Sequence, residues 1–183
     1  MIQNLILGQI SDLALPISLK NLYFLISSMK LKELMQELEV TQSYEEFKEQ
    51  YPHSFLTAGF FILSQDEKEG DKFQLDFFIP KENKIASFEY PFTNFKLHED
   101  EIREAKEMSN LDLKVDLTDI KQITKKVLGQ EFTKIIAIMQ NEVWNMTCLS
   151  GITIKRMKIN AYTQEIIEAG DLALNDVMRF KKK

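Results

Sequence analysis

Cysteine is nearly absent from this 183-residue chain: Cys148 is its only one. No intrachain disulfide can form, which matches a reducing compartment and sets cytoplasmic localisation as the expectation. Histidine is almost as scarce. His53 and His98 are the whole supply, and with one thiol beside them no His/Cys zinc pattern can be written. The six glycines are scattered and form neither GxGxxG nor GxxxxGK, so no phosphate-cradling loop is encoded. No glycine elbow surrounds any serine. The purest apolar run, Leu22 to Ile26, falls far short of the roughly 20 residues a membrane-spanning helix needs. No Lys or Arg precedes Lys20, so the basic start of a secretory signal is missing. Basic charge is in deficit as well: a formal net charge of −5 argues against general nucleic-acid affinity. The expectation is a chain with no cofactor, no metal, no nucleic acid and no membrane among its partners.

What is present is large and apolar. Thirteen Phe and 44% hydrophobic residues are enough for a substantial core. Charge is unevenly spread: residues 29–110 carry 10 Lys and Arg against 18 Asp and Glu, and residues 111–183 carry 12 against 9. Residues 1–28 hold only Asp12 and Lys20. Two readings lead for this apolar N-terminal segment, a non-native extension upstream of a start at Met29 or a helix that docks on the body, with a membrane or targeting role as a third.

From Met29 the pattern becomes regular. Leu31, Leu34, Met35 and Leu38 form one helical stripe. Ser43 with Glu46 reads as a capping box for a continuation that carries Tyr44, Phe47 and Tyr51, and Pro52 ends it. Three strands follow. His53 to Ser64 is apolar on both faces and reads as a central strand. Lys72 to Ile79 alternates, with Phe73, Leu75, Phe77 and Ile79 on one side and Lys72, Gln74 and Asp76 on the other. Ile85 to Phe92 is the third. Thr93 to Asp116 reads as a charged connector with a short helix near Glu99 to Met108. The order then restarts. Asp116 caps a helix with Ile120, Ile123, Thr124 and Val127 on one face, and Gly129 stops it. Strands are expected at Phe132–Met139, Val143–Leu149, Ile152–Asn160 and Ile166–Ala169. The parity switch from Ile154 to Met157 suggests a bulge in the third of these. Past Gly170, Asp171 reads as a cap for a short helix carrying Leu172, Val177 and Met178.

The sequence therefore predicts an α+β fold of two helix-plus-antiparallel-sheet units in tandem. The first, α-β-β-β, spans 29–92; the connector spans 93–116; the second, α-β-β-β-β with a tail, spans 117–183. The hairpins Phe78–Ile85 and Ile159–Ile166 stand at a constant offset of 81 and motivate the repeat.

The segment Lys158-Ile159-Asn160-Ala161-Tyr162-Thr163-Gln164-Glu165-Ile166-Ile167 resembles the hairpin of the PepSY and cystatin-like group, small domains with a helix on a curved antiparallel sheet. In that hairpin an apolar strand meets a Thr-Gly-acidic turn and another apolar strand. Thr163 and Glu165 match, while Gln164 stands where glycine is usual. The resemblance implies non-catalytic binding of a peptide or protein, a second copy of the chain included, and in some members regulation of a peptidase. The candidate partner surface is the Phe-rich first sheet: Phe55, Phe61, Phe73, Phe77, Phe78 and Phe88. The alternative is a small-ligand or enzymatic role, with a pocket between helix and sheet. No residue is assigned a catalytic role: Cys148 reads as a small core residue, and the acidic runs read as solvated faces. The cluster Lys155, Arg156 and Lys158 lacks the interleaved aromatics of a nucleic-acid platform.

Overall fold

The structure is a computed structural model, and it describes residues 29–66, 69–99 and 105–171. The readings of residues 1–28 and of a helix beyond Asp171 fall outside the described residues.

Helix α1 (Leu31–Glu39) buries the predicted stripe of Leu31, Leu34, Met35 and Leu38. Its start is held from a distance. The Leu31 N–H donates to Asp116 Oδ1 at 2.8 Å, and the Leu117 N–H donates to the same oxygen at 2.7 Å. Helix α2 (Gln42–Gln50) is capped by Thr41, whose Oγ1 accepts from the Tyr44 N–H, and not by Ser43 as the pattern suggests. Ser43 lies inside the helix and donates from Oγ to the Phe92 carbonyl at 2.5 Å. A 3-10 turn (Leu117–Asp119) leads into α3 (Ile120–Leu128). Gly129 ends α3 at φ 71, a left-handed value that glycine adopts without a Cβ penalty.

The described residues form eight strands in chain order: β1 (Phe55–Ser64), β2 (Lys72–Ile79), β3 (Lys84–Glu89), β4 (Phe95–His98), β5 (Lys134–Gln140), β6 (Val143–Ser150), β7 (Thr153–Asn160) and β8 (Ile166–Asp171). They form one antiparallel sheet in the order β4-β3-β2-β1-β5-β6-β7-β8. This corrects the tandem α+β expectation: the fold is one sheet-rich body with short helices, not two helix-plus-sheet units. The pairing of β1 with β5, from Ala58↔Gln140 to Ser64↔Lys134, makes the sheet continuous. The constant-offset comparison matched non-equivalent hairpins. Phe78–Ile85 joins the second and third strands of its meander, while Ile159–Ile166 joins the third and fourth strands of the other.

Smaller corrections follow from register. The predicted connector contains β4, and its described part is not helical around Met108. β7 pairs with β6 without interruption, so the parity switch marks no bulge there. Ile154 faces the side opposite Met157 and Ile159, Ile152 sits exposed in the turn, and the irregularity lies between β7 and β8.

The helices α1, α2 and α3 lie against one sheet face. Phe47 of α2 meets Phe77, Phe88 and Phe95 with ring centroids 5.6, 5.1 and 5.1 Å apart. Under α1 and α3 the same face presents Phe61, Leu75, Ala137, Met139, Trp144 and Met146, all buried. Phe61 folds back over Gly59, where an added Cβ would stand 2.6 Å from its ring. The stretch after Ala105 passes from the opposite face round the end of the sheet. Met108 N–H donates to the Leu56 carbonyl at 2.8 Å, and Val115 N–H donates to the Ala161 carbonyl at 3.0 Å. The Trp144 indole N–H donates to the Val115 carbonyl at 2.8 Å.

Candidate functional site

The face away from the helices is built by the alternate residues of each strand, because successive side chains point to opposite sides. Register places Phe60 between Gln74 and Ile138, Ala58 between Asp76 and Gln140, and Ile62 between Lys72 and Ile136. At the start of β1, Phe55 pairs with Phe78, their rings 5.5 Å apart, and Phe78 pairs with Ile85. A bulge between Leu56 and Ala58 turns Thr57 towards the connector, and its Oγ1 donates to the Lys106 carbonyl at 3.1 Å. Together these positions leave a cavity of about 220 Å³ with Phe60, Ile85 and Ile138 as apolar walls and Gln74, Asp76 and Gln140 as polar ones.

A hydrogen-bond chain crosses three strands beside this cavity. Ser87 Oγ lies 2.5 Å from Asp76 Oδ1 and 2.8 Å from His98 Nε2, and Gln74 Nε2 donates to Asp76 Oδ1 at 2.8 Å. An ionised carboxylate only accepts, so the Ser87 proton goes to Asp76 and Ser87 accepts from the His98 N–H. Serine therefore sits in the middle of the chain with its proton committed to the acid, and it is 3% exposed. A hydrolytic triad needs the histidine between serine and acid, so this order orients a carboxylate rather than activating a nucleophile. From the sequence, His98 stands only as an isolated histidine, and Gln74 and Asp76 share one side of their strand; Ser87 is not named and nothing links the four. The available signal was three polar residues at outward positions of strands that prove to be neighbours.

The sheet ends in two edges. β4 has four residues; β8 has six, all exposed, and among the described residues it pairs only with β7. Ile166 and Ile167 on β8 are 48% and 53% exposed. Lys158 holds Glu168 of β8 by an ion pair of 2.6 Å, and that contact keeps the Glu168 carboxyl below its ordinary value.

The sequence-derived Phe surface divides between the two faces. Phe61, Phe73, Phe77 and Phe88 are buried under the helices, at most 4% exposed, while Phe55 and Phe78 sit half-buried on the other face. The layer between helices and sheet, where the alternative role would place a pocket, is filled by Leu34, Leu38, Phe47, Phe61 and Trp144; the cavity opens on the far side. Cys148 is fully buried on the core side, and burial pushes its thiol up to about 12. His53 is exposed in the turn before β1 and far from His98 in the fold's order of strands. Lys155 reaches the Leu128 carbonyl at the end of α3 at 3.1 Å, and Lys158 pairs with Glu168, so two of the three basic residues are engaged within the chain. Among the described residues no group of His, Cys, Asp and Glu is arranged to hold a metal ion, and no helix is long and apolar enough to cross a membrane.

No family model matches the chain, and no curated protein does. Among solved structures it is similar to one described as a "putative lipoprotein" from Clostridium difficile 630, at 9% sequence identity and a TM-score of 0.48, over 70% of this chain and 90% of that one.

Proposed function

We propose that the protein is a non-catalytic polypeptide-binding module, in which an extended segment of a partner adds to the free edge of β8. The observation that carries this reading is the edge itself: six exposed residues that pair on one side among the described residues, with Ile166 and Ile167 about half exposed. An unpaired row of N–H and C=O groups accepts a further strand through main-chain hydrogen bonds, and side chains then select the sequence. β2 (Lys72–Ile79) offers no such edge, because it lies between β1 and β3. A second copy of the chain is one partner that would fit, since two β8 strands could pair antiparallel. Cytoplasmic localisation and the PepSY-like relationship of the β7–β8 hairpin belong to the same proposal.

Peptide display against the full chain, followed by titration of the selected peptides, tests the reading. Binding is expected at or below about 100 μM, near −5.5 kcal/mol. Lysine at both Ile166 and Ile167, which are exposed and so tolerate charge, is expected to weaken it by roughly tenfold or more. Peptides that bind the lysine variant as tightly as the original chain, or no binder at all, would sink the edge model.

A further inference from the structure

We infer that the sheet face away from the helices carries a second site, separate from the β8 edge, for a small organic amine, with Asp76 as its counter-ion and Phe60, Ile85 and Ile138 as its apolar walls. The carboxylate is already oriented. Both hydrogen bonds that Asp76 receives, from Gln74 and Ser87, end on Oδ1, and Ser87 is itself fixed by His98. Among the described residues no hydrogen bond reaches Oδ2, which leaves one oxygen of a fixed carboxylate for a donor from outside.

The lining settles the sign of the ligand. Among the described residues around the cavity, Asp76 is the single charged side chain. An anion would meet that charge with no cation beside it, whereas an ammonium group meets a counter-ion and the ring of Phe60, whose face attracts cations. Gln140 adds an amide to the lining. A bare metal ion is a poor match. A hard divalent cation takes about six to eight oxygen ligands, and one carboxylate with two side-chain amides cannot supply them. The apolar walls call for a hydrocarbon body attached to the charge. A volume of about 220 Å³ equals the liquid volume of roughly seven waters, which suits an amine of one ring or a short chain.

Benzylamine is a suitable probe, followed by backbone amide chemical shifts of the full chain. Saturable shifts are expected at Gln74, Asp76, Ile138 and Gln140 with a Kd in the low millimolar range, about what so small a ligand can reach. Benzyl alcohol and benzoate have nearly the same shape and different charge, and each is expected to bind at least about tenfold more weakly. Asp76→Asn keeps an acceptor for Gln74 and Ser87 and is expected to lose about tenfold in benzylamine affinity. Gln140→Leu, which leaves the hydrogen-bond chain untouched, is expected to lose several-fold and serves if Asp76→Asn does not fold. The lysine variant of β8 should bind benzylamine normally, so the two sites can fail independently. Equal binding of the alcohol, unchanged affinity in Asp76→Asn, or no saturable shift up to about 20 mM benzylamine would overturn the site.

Discussion

Among the described residues, five non-glycine positions have left-handed backbone: Asn83, Phe92, Asn141, Glu142 and Gln164. Asparagine visits that region readily; glutamine does so at a cost of roughly 1–2 kcal/mol. Gln164, at φ 68, occupies the turn position where the resembled hairpin carries glycine. Its side chain offers little in return, a 3.3 Å bond from Nε2 to the exposed Lys114 carbonyl. Gln164→Gly is therefore expected to stabilise the chain by roughly 0.5–1 kcal/mol, after the entropy glycine adds to the unfolded state. Gln164→Ala loses the same bond without relieving the backbone and should be less stable than the glycine variant. Urea midpoints of the two variants decide the matter, and an alanine variant as stable as the glycine one would show that the turn is unstrained. The departure was visible in the sequence, because turn chemistry is local. The Asp76–Ser87–His98 chain was not, because its residues are 11 apart in sequence and only strand register makes them neighbours.

At the scale of elements, Asp116 shows how far a local signal reaches. An aspartate ahead of an apolar stripe reads correctly as the cap of the turn at Leu117. That it also caps α1, 85 residues earlier, has no local signature. Burial raises the Asp116 carboxyl above its ordinary 3.8, against the pull of the Leu31 and Leu117 N–H groups. A raised carboxyl binds its proton more tightly folded than unfolded, so this group's contribution falls as pH rises from below 3.8 through the folded value, and at neutral pH the charge is a cost. Asp116→Asn keeps the one oxygen that accepts both bonds and removes the charge. Its stability at pH 7 is expected to equal that of the original chain or exceed it by up to about 1 kcal/mol, with the difference shrinking as pH falls below 4. Asp116→Ala leaves two buried N–H groups unpaired and is expected to cost about 2–4 kcal/mol. Denaturation of the three chains across pH measures both effects. A difference between the original chain and Asp116→Asn that grows in acid would reverse the sign.

Over the whole molecule, the strands were legible and their partners were not. Period-two patterns mark where strands lie, and the both-face apolarity of His53 to Ser64 marked β1 as central, which it is. β5 carries the same mark in Ile136 and Ile138 on one face and Ile135, Ala137 and Met139 on the other. Two strands apolar on both faces need flanks on both sides, and pairing them with each other satisfies both, but nothing local states that they meet. The helices report on the same issue: α1 is capped from residue 116, and the connector bonds to β1 at one end and to Ala161 at the other. These ties join the two meanders through backbone hydrogen bonds and a common core, so unfolding is expected to be one cooperative event rather than two. Trp144, the single tryptophan, is fully buried against Phe61 with ring centroids 5.6 Å apart, and it reports from the second meander at the seam with the first. Its fluorescence in denaturant should follow the same midpoint as the loss of protection of the β2 and β3 amides, which lie wholly in the first meander. Native-state hydrogen exchange should find β1 and β5 the slowest strands, opening only with the whole chain, while β4 and β8 open locally. If the first meander melted at a different denaturant concentration from Trp144, the β1–β5 seam would be a docking surface between independent bodies and not part of a shared core.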